Sequence, residues 1–79
     1  MKQALDLTFP PQLIKEPIIY KMARQYDVVF NLRRAKITEK VGQIVLELEG
    51  EQSVLNKAID WLKTQGLKVD SVTKDTLES

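Results

Sequence analysis

Residues 4–9 alternate, with Leu5, Leu7 and Phe9 on one side and Ala4, Asp6 and Thr8 on the other. Period 2 is the mark of a half-buried strand. Pro10-Pro11 ends it, because proline has no N–H to give to a ladder. The spacing then changes to three and four at Ile18, Ile19, Met22, Ala23 and Tyr26. This predicts a helix from about Glu16-Pro17 to Gln25, with proline in the first turn, where its missing N–H is not needed. Leu13 and Ile14, in the lead-in, are expected to cover one end of the core.

Alternation returns twice around a turn expected near Lys40-Val41-Gly42. Val28, Phe30 and Leu32 share one face of the first strand, and Ile44, Leu46 and Leu48 share one face of the second. In the first strand the apolar phase runs 28, 30, 32 and resumes at Ala35 and Ile37, so it switches at Arg33-Arg34. Two readings are open. Either one extra residue forms a β-bulge, a feature common near functional sites, or Ala35 is simply small and exposed. From Gln52 to Gln65 the period is again helical, with Val54, Leu55, Ala58, Ile59 and Leu62 as the stripe and Trp61 at its edge. Gly66 is expected to end this helix in the left-handed conformation. Residues 67–72 alternate as a last strand, and the chain after Lys74 is expected to fray.

The order is therefore β-α-β-β-α-β. Right-handed crossovers place both helices on one face of a four-stranded antiparallel sheet, the α+β ferredoxin-like arrangement. The other face is left open, and its expected members are Asp6, Thr8, Val29, Asn31, Gln43, Val45 and Glu47.

Composition narrows the chemistry. At 79 residues the chain fits one domain, and its core is thin, which favours a site at an interface over a deep enclosed one. Twelve Lys+Arg against eleven Asp+Glu give a net charge of +1, which offers no field for nucleic acid or an anionic membrane. There is no cysteine and no histidine. This removes disulfides, thiolate metal sites, iron–sulfur clusters, a cysteine nucleophile, and the commonest general base and zinc ligand. No apolar run reaches the roughly 20 residues of a membrane span, and residues 1–6 lack a signal-peptide core. The expectation is a cytoplasmic protein without cofactor, metal or catalytic residues.

The strand Val28-Val29-Phe30-Asn31-Leu32-Arg33-Arg34-Ala35 resembles the signature of the NIL domain, with Asn31-Leu32-Arg33 at the place of the family's Asn-Ile-Leu triplet. Leu7-Thr8-Phe9, Glu16-Pro17-Ile18-Ile19, and Ala58-Ile59-Asp60-Trp61-Leu62 followed by Gly66 and Val69 are similar to other family segments in the same order. The resemblance covers roughly residues 3–73. It implies an ACT-like regulatory domain of the kind found at the C-terminus of methionine-importer ATPase subunits, where methionine binds at a domain–domain interface and inhibits transport. The family also occurs fused to ferredoxin modules and as stand-alone proteins. Lacking a P-loop and cysteines, this chain is expected to be stand-alone or an excised domain, and its Met1 start points to the former. Asn31 matches the family asparagine associated with methionine. The triplet departs at Leu32 and Arg33, and Arg33-Arg34 places two cations where importer domains carry apolar or small residues.

The residues add their own reading. An asparagine amide pairs with both ends of an amino acid, or satisfies local backbone at a bulge. Arginine holds carboxylate in a bidentate way, so Arg33 or Arg34 is a candidate for a ligand's carboxylate. Each also has a cross-strand partner in reach, with Glu47 expected opposite Arg34 or Glu49 opposite Arg33. Residues 33–40 hold four cations and one acid, too small a patch for nucleic acid. Glu47, Glu49 and Glu51 alternate over about 13 Å, too far apart for one cation. Tyr20 lies off the apolar stripe and completes the candidates. The reading is a non-enzymatic sensor that binds methionine or a related sulfur compound through Asn31, Arg33, Arg34, Val29, Val45 and Tyr20, as a homodimer or paired with another NIL domain. The alternative is a ligand-free interaction module that docks through its edge strand or open sheet face.

Overall fold

A computed structural model of the chain describes residues 1–72, so the expected fraying after Lys74 lies outside the described residues. Strand β1 is Lys2–Phe9, helix α1 Ile18–Gln25, β2 Val29–Ile37, β3 Gly42–Glu49, α2 Gln52–Thr64 and β4 Lys68–Ser71. The strands form one sheet in the order β2-β3-β1-β4, and every neighbouring pair is antiparallel. This is the expected ferredoxin-like topology, with β1 and β3 central and β2 and β4 at the edges. Among the described residues no helix is long and apolar enough to cross a membrane.

The core lies between the sheet and the two helices. Leu5, Leu7 and Phe9 of β1 meet Leu46 and Leu48 of β3 below Ile18 and Met22 of α1 and Leu55, Ala58 and Leu62 of α2. Leu13 and Ile14 pack against its end as expected. Leu13 ends a single 3-10 turn, Pro11–Leu13, that the sequence did not announce, and Ile14 is its C-cap. Helix α1 begins one residue later than expected, with Pro17 as its N-cap. Trp61 at the margin of α2 is tilted against Tyr26, with ring centroids 6.4 Å apart. Gly66 has φ +102°, which a side chain would strain, and it turns the chain from α2 toward β4.

Three details of the hairpin differ from expectation. The turn spans residues 38–41, earlier than expected, because the Thr38 hydroxyl oxygen accepts the N–H groups of Lys40 and Val41 at 3.2 and 3.0 Å. Gly42 is thereby the first residue of β3. A Cβ there would come within 3.0 Å of Phe9 and Ile14. The bulge is present: Leu32 faces Leu46 and Arg34 faces Val45, which leaves Arg33 unpaired in the ladder. The expected ion-pair register is corrected accordingly. Asn31, not Arg34, stands opposite Glu47, and Val29, not Arg33, stands opposite Glu49. The bulge moves the strand by one residue while keeping Ala35 and Ile37 on the helix side.

Candidate functional site

The open face is organised in rows across the strands. Asn31, Glu47 and Ala4 form one row, Arg34, Val45, Asp6 and Asp70 the next, and Lys36, Gln43, Thr8 and Lys68 a third. Cations therefore line the β2 side, while carboxylates stand on β1 and β4 in the middle row. Val45 is 8% exposed although it faces away from the helices, because longer neighbours close over it. With Asp6, Arg34, Lys36, Gln43 and Val72 it lines a shallow concavity of about 90 Å³.

Local contacts set which groups are engaged. The Gln43 amide donates to both Asp6 carboxylate oxygens at 3.1 Å, a diagonal contact between β3 and β1. The guanidinium of Arg33 donates to Glu47 at 3.4 Å, so the bulged arginine reaches back along the open face to the carboxylate opposite Asn31. Lys2 pairs with Glu49 at 3.6 Å. Arg34 and Lys36 form no ion pair among the described residues.

The structure brings Val29, Asn31, Arg33, Arg34 and Val45 onto one face. It does not bring Tyr20 there. Tyr20 lies on the solvent side of α1, in the other layer, 62% exposed and under the guanidinium of Arg24 at 6.0 Å. Glu51 also leaves the acidic series, since it is the N-cap of α2 and not a strand residue. Among the described residues no three His, Cys, Asp or Glu side chains are grouped to hold a metal. Sequence reasoning placed Asp6 and Gln43 on the open face but did not count them, Lys36 or Val72 as site residues. The missing signal was the row register, which depends on the bulge.

These features define an open-faced α+β domain with a mixed-charge row around one covered valine. The chain belongs to the NIL domain family, which it matches over residues 3–71. It is 31% identical over 68 residues to methionine import ATP-binding protein MetN 2 of Acinetobacter baylyi, an alignment covering 81% of this chain and 20% of that protein. It is 29% identical over 82 residues to methionine import ATP-binding protein MetN of Streptomyces avermitilis, covering 99% of this chain and 24% of that one. The chain thus spans about a fifth to a quarter of the length of these relatives. The fold is also that of the C-terminal domain of an ABC transporter ATP-binding protein from Enterococcus faecalis, with a TM-score of 0.80 at 22% identity over 91% of this chain and 84% of that one.

Proposed function

We propose that this chain is a non-enzymatic regulatory domain of the cytoplasm that binds a small amino acid, methionine or a related sulfur compound, between its open sheet face and a second NIL-type domain. The observation that carries the reading is the middle row of the open face. Arg34, which has no ion pair among the described residues, stands on one side of Val45 and a carboxylate, Asp6, on the other. An α-amino acid has the matching pair of charges: its carboxylate suits Arg34, and its ammonium suits Asp6. Asn31, one row away, supplies an amide able to serve either end. Arg33 is held by Glu47, so Arg34 is the better candidate for the ligand's carboxylate, and Arg33 positions Glu47.

Size supports the second domain. The concavity of about 90 Å³ is well below the ~300–1,000 Å³ of ordinary small-molecule sites. A lid from another domain, a second copy or another NIL domain, would complete the enclosure, with Val29 at the contact. Ligand binding then acts by linkage: whatever prefers the paired state shifts the equilibrium toward it. The methionine named for the importer relatives makes it the first compound to try.

The test is thermal unfolding of the chain with L-methionine, homocysteine, S-adenosylmethionine, cysteine or aspartate, followed by sedimentation of the same samples. A ligand at a hundred times its dissociation constant stabilises by about 2.7 kcal/mol, or roughly 10 °C or more in a domain of this size. Asn31→Ala and Arg34→Ala are each expected to remove the shift. If none of the five compounds moves the transition, the sensor reading fails.

A further inference from the structure

β2 is the long edge of the sheet, nine residues against four in β4, and every one of its residues is exposed. Its helix-side residues Phe30, Leu32 and Ile37 are 41%, 52% and 57% exposed, because neither α1 nor α2 packs over this edge. Its open-face residues Arg34 and Lys36 have no ionic partner among the described residues, and residues 28–38 contain no acid. Among the described residues the edge thus offers an apolar row on one side, a cationic row on the other, and unpaired backbone between them.

We propose that this edge is a docking site for an extended peptide segment of a partner protein in which apolar and acidic residues alternate. The inner neighbour of β2 complements it in part. β3 carries Ile44, Leu46 and Leu48 on the helix side and Glu47 and Glu49 on the open side, and Glu47 takes Arg33. On β3, Arg34 and Lys36 face Val45 and Gln43, so neither cation meets a counter-charge across the ladder, and a strand added to the outer side fits best with apolar residues beside Phe30, Leu32 and Ile37 and acids beside Arg34 and Lys36. Strand addition supplies affinity through the main chain and specificity through alternate side chains. Charges and a bulge are also devices that keep an edge from indiscriminate pairing. Here the charges have one sign. A second copy paired through this edge brings only further cations, since residues 28–38 contain no acid, whereas an acidic strand supplies the opposite charge. This proposal does not rest on the amino-acid site, and its test contains no amino acid.

The probes are three peptides of about seven residues, an ordinary strand length: alternating Val and Glu, alternating Val and Lys, and the Val/Glu composition with the alternation broken. Binding is read by fluorescence anisotropy, and its place by amide hydrogen exchange. The alternating Val/Glu peptide is expected to bind about tenfold more tightly than either control and to protect amides within 29–37 but not within 68–71. The paired changes Arg34→Glu and Lys36→Glu, both at exposed positions, are expected to reverse the preference toward the Val/Lys peptide. Equal binding of all three peptides, protection at β4 instead of β2, or a self-associated β2 edge from which the acidic peptide is excluded would each overturn the proposal.

Discussion

β2 and β3 carry the same alternation and lie side by side, yet one is buried and the other is not. Leu46 and Leu48 are fully buried, while their cross-strand partners Leu32 and Phe30 are about half exposed. Alternation assigns a residue to a face of the sheet. It does not set depth, which depends on the order β2-β3-β1-β4 and on how far two helices reach. The same difference divides the work of the molecule. β3 supplies core to the fold, while β2 leaves its side chains exposed, which is where the readings proposed above put a ligand or a partner.

The largest test of this contrast is deletion of a single residue. Removing Val45 from β3 throws one half of that strand onto the wrong face, and with it either Ile44 or Leu46 and Leu48. No cooperatively folded protein is expected, read from near-ultraviolet circular dichroism and urea unfolding. Removing Arg33 from β2 takes out the residue that has no ladder partner and leaves every other pair on its present face. The cost is expected to be about 1 kcal/mol or less. If both deletions unfold the chain, the bulge is not the spare residue that the register makes it.

A smaller contrast comes from truncating the two leucines that face each other. Leu46→Ala is expected to cost about 3–4 kcal/mol through lost burial and the cavity left behind. Leu32→Ala is expected to cost about 1 kcal/mol or less, because half of its side chain is already in water. Denaturant midpoints at unchanged slope would measure both. Equal losses would mean that β2 is covered in solution, by a second copy or by another segment, and would shift attention to what covers it.

The topology was legible from residues 4–72 because each element announced itself by its own period: two in the strands, three and four in the helices, and stops at Pro10-Pro11 and Gly66. The bulge was visible only as a change of phase between Leu32 and Ala35. Whether it was an insertion or an exposed alanine depends on a partner strand about ten residues away, and no local pattern contains that register. The same gap hid part of the candidate site. Asn31, Arg34 and Val45 stand out by residue type. Asp6 and Gln43 become neighbours of Arg34 only after the rows are set, and Tyr20 drops out only after α1 is docked. Exposure of Phe30 and Leu32 was likewise hidden, since strands at an edge and at the centre write the same alternation.

The smallest effect separates two origins of the bulge. Arg33 reaches Glu47 at 3.4 Å, so the extra residue is held either by this ion pair or by the demand that both Leu32 and Ala35 face the helix side. A double-mutant cycle of Arg33→Ala and Glu47→Ala distinguishes them. Both side chains are partly in water, and the coupling is expected to be ~0.2–1 kcal/mol, falling as salt screens it. That is too little to set the register against the burial of Leu46 and Leu48 next door. Backbone amide exchange in 29–37 should therefore keep its pattern in the double variant, with the bulge in place. If the pattern instead becomes that of an unbroken ladder, the ion pair, and not the phase of the apolar residues, positions Arg34 beside Val45. The geometry of the open face would then depend on Glu47 as much as on the sheet.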